Sequence, residues 1–137
     1  MKNILFGNPN TDSWMLALDG ISRGEQVISV KGELRTGFFS AVTPMCIPPH
    51  VMQSFASELE ALEEKLAGSA TLQNANYQSA VNWTLKALPH GHIESTGQFT
   101  INGNTLSFAF RTDQTQLAPL CKWVRSLLSE YNKAKDG

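Results

Sequence analysis

The sequence predicts an α+β domain: an antiparallel sheet of about six strands with two helices packed on one face, in the order β-β-β-α-β-β-β-α. Three observations carry this. Two segments, 48–68 and 116–131, repeat apolar residues at helical spacing, several others alternate apolar and polar residues with period two, and Asn102-Gly103 joins two of the alternating runs. An apolar helix stripe and a half-apolar sheet face each need a cover, and each suits the other. The 137 residues are read as one domain, 1–137, long enough to build a core without a metal or a disulfide.

In chain order, residues 3–6 are a short apolar run ended by the turn formers of 7–13. Trp14, Leu16 and Leu18 fall on one side of the next strand and Met15 and Ala17 on the other, and Asp19-Gly20 stops it. Ile28, Val30, Gly32 and Leu34 then alternate with Ser29, Lys31, Glu33 and Arg35, a strand with one face in the core and one in water. Residues 37–42 read as its continuation, with Thr36-Gly37 as a bulge or bend.

The first helix follows. Val51, Phe55, Leu59, Leu62 and Leu66 form its stripe, Pro48 or Pro49 suits its first turn, and Gly68 stands where a left-handed C-terminal residue costs least. Residues 70–79 are polar and fit a short strand or a loop. Val81, Trp83, Leu85 and Ala87 alternate with Asn82, Thr84 and Lys86, and Pro89-His90-Gly91 turns the chain into a run with Ile93, Phe99 and Ile101 on one side. His92, Glu94, Thr96, Gln98 and Thr100 take the other side. Asn-Gly tolerates the two positive φ values of a type I′ turn, so residues 102–103 send the chain back through Leu106, Phe108 and Phe110, completing a three-stranded meander.

The closing helix has the stripe Leu117, Leu120, Cys121, Val124, Leu127, Leu128 and Tyr131, with Trp123 on its flank and Lys122, Arg125, Lys133 and Lys135 in water. Asp113 and Gln116 have the spacing of a capping box, but a helix starting there would enclose Pro119 at a cost of about 3 kcal/mol. A regular helix from about Gln116, with Asp113 capping a turn before it, avoids that cost. Leu59, Leu62, Phe99, Phe108, Val124 and Leu127 are expected in the core.

Net charge is −1, which argues against nucleic acid or an anionic membrane as main partner, since both require a cationic surface. Two cysteines, Cys46 and Cys121, with no signal peptide and no apolar run near ~18 residues, point to a cytoplasmic protein with reduced thiols. No catalytic motif stands out. His90 and His92 lack further ligands at metal spacing, Cys46, Cys121 and His50 lack zinc-ligand spacing, and nucleophile-elbow, phosphate-loop and dinucleotide motifs do not occur. No cofactor is expected.

Val30-Lys31-Gly32-Glu33-Leu34, Gly37-Phe38-Phe39-Ser40, Gly91-His92-Ile93 through Thr96-Gly97, and Leu106-Ser107-Phe108 running into Thr112-Asp113-Gln114-Thr115 resemble a family of small bacterial proteins that includes WapI-type immunity proteins. The resemblance covers roughly residues 14–128, and the Thr-Asp-Gln-Thr stretch is its most specific part. It implies a non-enzymatic protein that neutralises a cognate toxin by stoichiometric binding, with no catalytic residues to carry over. The alternative is a small enzyme or small-molecule-binding domain using His92 and Glu94 on the open sheet face. A homo-oligomer is left open.

Two surfaces are candidates for binding. One is the exposed sheet face, with Lys31, Glu33, Arg35, Thr84, Lys86, His92, Glu94, Thr96, Gln98 and Arg111. The other is the outer side of the first helix, with Gln53, Ser57, Glu60, Glu63 and Glu64; Glu60 and Glu64, four apart, repel, and so suit a basic partner.

Overall fold

Four antiparallel strands and then a helix, twice over, make up the chain. The first unit is β1 (Asn3–Gly7), β2 (Asp12–Ser22), β3 (Val27–Thr36), β4 (Phe39–Ile47) and α1 (Pro49–Lys65). The second is β5 (Ser69–Ala75), β6 (Ser79–Ala87), β7 (His92–Ile101), β8 (Asn104–Asp113) and α2 (Leu117–Lys133). The computed structural model describes residues 3–76 and 78–134; Lys135, assigned from sequence to the wet end of the last helix, lies outside them, as does Tyr77. Each unit's strands pair in sequence order, giving the sheets β1-β2-β3-β4 and β5-β6-β7-β8.

The α+β class and the two helices agree with expectation, whereas the single six-stranded sheet becomes two sheets of four. Two strands account for the difference. Residues 37–42 do not continue β3: Thr36 pairs with Phe39 across the two-residue loop Gly37-Phe38, and Gly37 takes a φ of +60° that favours glycine. The Gly37 N–H donates to Thr11 O and Asp12 Oδ1, tying the loop to the start of β2. The polar segment after α1 is a strand because Ala70 and Leu72 face the core while Thr71 N–H is held by Glu58 Oε1 of α1 at 2.8 Å. In β2, Asp19-Gly20 is a register shift rather than a stop, and pairing resumes as far as Ser22.

The two sheets meet through their inner faces. The Trp14 ring of β2 lies 4.8 Å from that of Trp83 on β6 and 5.1 Å from Phe108 on β8, while Phe6 of β1 meets Trp83 at 5.5 Å. These edge-on aromatic contacts bury the largest side chains of both units in one core. The helices therefore do not cover one face of a sheet, as expected from sequence. Instead α1 packs on β5 and α2, α2 packs on β1 and β2, and Phe55 of α1 reaches Trp83 at 5.6 Å. Each indole N–H in the layer finds a hydroxyl: Trp14 Nε1 donates to Thr43 Oγ1 at 3.0 Å and Trp83 Nε1 to Ser95 Oγ at 2.7 Å.

Helix α1 begins as expected, with Pro48 as N-cap and Pro49 in the first turn. Its buried face is Met52, Phe55, Ala56, Leu59 and Leu62; Val51 is half-buried and Leu66 exposed, so the stripe is turned from the one read in the sequence. Leu66, at φ +50°, supplies the left-handed residue at the helix end, its N–H bonded to Leu62 O at 2.8 Å, and Gly68 two residues on also takes a positive φ, +89°. Before α2, Asp113 caps a single 3-10 turn, accepting from Thr115 N–H at 2.9 Å, and the regular helix begins at Leu117. Pro119 thereby sits in the first turn, where a missing N–H breaks nothing. Leu59, Leu62, Phe99, Phe108, Val124 and Leu127 are all buried, and Asn102 and Gly103 both take positive φ.

Candidate functional site

Strand pairing converts the outward residues of the second sheet into ordered rows. Ser69, Lys86, Glu94 and Arg111 stand directly opposite one another across β5, β6, β7 and β8. Thr71, Thr84 and Thr96 form the next row and Gln73, Asn82, Gln98 and Ser107 the one after it. Directly opposed residues have side chains about 4.5–5.5 Å apart at Cβ, so each row is a line of neighbours. The Thr71 and Thr84 hydroxyls bond at 3.0 Å and those of Thr100 and Thr105 at 2.9 Å. Large apolar side chains of these strands, Trp83, Leu85, Phe99, Phe108 and Phe110, point inward, so the outer face is polar throughout its centre.

Over the amide row the face is concave. A groove of about 340 Å³ is lined by Gln73, Asn74, Ala75, Ala80, Asn82, Gln98 and Thr100 among others. The amides of Gln73, Asn82 and Gln98 offer donors and acceptors side by side, suited to peptide groups and polar side chains of a partner, whereas Asn74 is engaged with Cys46 O. Of the groove residues, sequence reading had singled out Gln98. Gln73 and Asn74 were missed because β5 has no clean alternation, and the outward position of Asn82 in the β6 pattern was the available signal for it.

Six of the candidates, Lys86, His92, Glu94, Thr96, Gln98 and Arg111, lie together on this outer face of β6, β7 and β8, as does Thr84. Lys31, Glu33 and Arg35 do not join them. They line the outer face of β3 in the other sheet, where Arg35 Nη2 and Glu33 Oε1 are 3.7 Å apart and Glu33 pairs in register with Met15 and Val42. Because the inner faces of the two sheets share the core, these two outer faces point away from each other.

The acidic side of α1 is partly engaged within the molecule. Arg125 of α2 clamps Glu60 with two guanidinium nitrogens, Nε to Oε2 at 2.9 Å, and this hydrogen bonding holds the Glu60 carboxyl below its ordinary range. Burial, and then the charge of nearby Glu63, push the Cys121 thiol up to about 12. Glu60 and Glu63 thus face α2, and the repulsion between Glu60 and Glu64 is offset by Arg125. Both cysteines are free thiols, Cys46 exposed and Cys121 buried.

His92 stands opposite Asp113 at the edge of the polar face, and His90 takes φ +65° in the turn before it. Among the described residues no group of three or more His, Cys, Asp and Glu side chains is placed to hold a metal ion. No helix among them is long and apolar enough to cross a membrane.

Fold and surface together define a small α+β domain of two four-stranded sheets and two helices, with an open, polar sheet face. The model of the immunity protein WapI-like family matches residues 6–132, and the chain belongs to that family. No curated protein matches the sequence. Two solved structures share the fold: WHY3 from Arabidopsis thaliana, at TM-score 0.59 and 6% identity over 96% of this chain and 88% of that one, and MRP1/MRP2 from Trypanosoma bruciei, at TM-score 0.57 and 10% identity over 96% and 84%. Membership of this family points to an immunity role.

Proposed function

We propose that the protein neutralises a cognate bacterial toxin by stoichiometric association in the cytoplasm of the cell that makes both, and that the outer face of the second sheet is the surface that binds. The observation that carries this reading is the row Lys86–Glu94–Arg111 beside a groove of uncharged amides, in a chain of the WapI-like family. Three charges of alternating sign on a rigid sheet recognise a partner by complementarity, and the absence of a large apolar side chain at the centre keeps the free protein from aggregating there. The amide groove beside them adds directional hydrogen bonds at fixed spacing. Neutralisation of this kind needs tight binding and no turnover.

The test is calorimetric titration of the purified toxin encoded beside this chain with the wild-type protein and with the double variant Lys86→Glu, Arg111→Glu. Charges buried and paired at an interface typically cost 2–5 kcal/mol or more when lost, so affinity should fall by about 100-fold or more. Thermal stability should fall only modestly: both side chains are exposed, and the cost is that of two like charges set opposite Glu94. Unchanged affinity of the double variant overturns the sheet-face assignment and moves attention to Glu60, Glu63 and Glu64. Failure of the wild-type protein to bind or neutralise that toxin overturns the immunity reading itself.

A further inference from the structure

Strand β4 forms one edge of the first sheet and differs from the other three edges. β5 is covered by α1, β1 lies against α2 and receives Gln116 Oε1 on the Gly7 N–H, and β8 carries Arg111 and Asp113. β4, Phe39–Ile47, holds no charged residue. Sheet edges are commonly guarded by charge, proline, a bulge or a cover, because their free backbone groups template another strand. Pro44 guards the middle of β4, and beyond it Asn74 Nδ2 donates to Cys46 O at 2.9 Å. Ahead of Pro44, residues 39–43 have none of these devices.

Exposed apolar side chains gather at the same place, Leu66 at the end of α1 apart. Phe38 is fully exposed, Phe39 is 74% exposed and Val42 56%, with Met15 in the same cross-strand row as Val42. The backbone is equally available. In a two-residue hairpin the flanking pair, here Thr36 and Phe39, is hydrogen-bonded, so odd-numbered residues of β4 bond to β3 and even-numbered ones direct N–H and C=O outward. Cys46 O, which accepts from Asn74, belongs to that outward set. Ser40 and Val42 are therefore the open donors and acceptors.

We infer that β4 pairs antiparallel with β4 of a second copy of this chain, about a twofold axis at Ala41, joining two first sheets into one of eight strands. Three registers would pair the outward groups: Ser40 with Ser40, Val42 with Val42, or Ser40 with Val42. Arg35 and Glu33 of the two copies would stand three strand spacings, about 14 Å, apart in every register, too far for their charges to decide, so the backbone decides. The first register sets Val42 against the loop residue Phe38 and pairs only Ser40, and the second sets Ser40 against Pro44, which has no N–H. The third uses the N–H and C=O of Ser40 and Val42 in both copies and brings exposed Phe38 opposite Pro44 of the second copy. An isologous pairing of this kind closes on itself and leaves no further edge of the same type.

Sedimentation velocity and directed cross-linking test this together. The wild-type protein should sediment as a dimer, and Val42→Lys, or Ser40→Pro as a second edge variant, as a monomer with unchanged far-UV circular dichroism. In a Cys46→Ser background, Ala41→Cys should give a covalent dimer on oxidation, because a non-hydrogen-bonded antiparallel pair has Cα atoms about 4.5 Å apart, within disulfide reach. Ser40→Cys, set diagonally from its own copy at about 7–8 Å, should not. A wild-type monomer at all concentrations, a dimer that survives both edge variants, or cross-linking through position 40 but not 41 would overturn the inference.

Discussion

At the scale of single residues, two tryptophan–glycine pairs, one within each sheet, set the tightest constraints. A Cβ on Gly32 would come within 2.2 Å of Thr43 Oγ1 and 2.4 Å of Trp14 Nε1, and one on Gly97 within 2.1 Å of Asn82 O. Glycine is present there for room. Thr43→Val keeps the side-chain shape but leaves the buried Trp14 N–H without an acceptor, and should lower unfolding free energy by about 1–3 kcal/mol in urea titrations. Cysteine reactivity should divide just as sharply. Burial keeps Cys121 a neutral thiol, with its ionisation raised to about 12, while Cys46 is exposed, so iodoacetamide at neutral pH should modify Cys46 in the native protein and Cys121 only on unfolding.

A third residue-scale prediction concerns pH. The Thr115 hydroxyl, and then its backbone N–H, hold the Asp113 carboxyl below its ordinary value. A carboxyl depressed in the folded state stabilises it above the unfolded-state value, and that contribution is lost as pH falls through the lower folded value. The turn before α2 should therefore loosen only under strongly acid conditions. In Thr115→Ala, NMR titration should show the Asp113 carboxyl returning towards the ordinary carboxylate value. An unmoved titration would show that the cap does not set it.

At the scale of elements, α1 depends on a face that the sequence located to within a fraction of a turn. Phe55, Leu59 and Leu62 were legible because three- and four-residue spacing survives any small rotation of the helix. Met52 and Ala56 replaced Val51 and Leu66 because α1 lies against β5 and α2, a position that no local pattern encodes. Leu62, 1% exposed, should lose roughly 2–5 kcal/mol on truncation to alanine, read from the denaturant midpoint. The β3–β4 turn failed to register for a comparable reason. A glycine between two period-two runs fits a bulge as well as a tight turn, and the choice is made by Thr11 and Asp12, which accept from Gly37 N–H across the neighbouring loop.

At the scale of the whole molecule, both units draw on one aromatic layer, since Trp14, Trp83, Phe6 and Phe108 each come from a different strand and span both sheets. Neither sheet has an independent core. Thermal unfolding followed by tryptophan fluorescence and by far-UV circular dichroism should therefore coincide in one transition; two separated transitions would show that the units fold apart. The candidate site follows from the same arrangement. Lys86, Glu94 and Arg111 share a row because β6, β7 and β8 form a meander of short connections, whereas Lys31, Glu33 and Arg35 belong to the opposite outer face.

What the sequence determined by itself was local: which stretches are helix or strand, which side of each is apolar, the Asn-Gly turn, the start of α2 displaced past Asp113, and the core positions Leu59, Leu62, Phe99, Phe108, Val124 and Leu127. Periodicity and capping chemistry act over a few residues, so they can be read along the chain. Only the tertiary structure decided that the strands divide into two sheets, that Trp14 meets Trp83, and that the charged candidates separate onto two faces. Those choices rest on contacts between residues far apart in the chain, where any apolar strand face can in principle cover any other, and where volume, ring geometry and the hydroxyl partners of the Trp14 and Trp83 indoles select the arrangement.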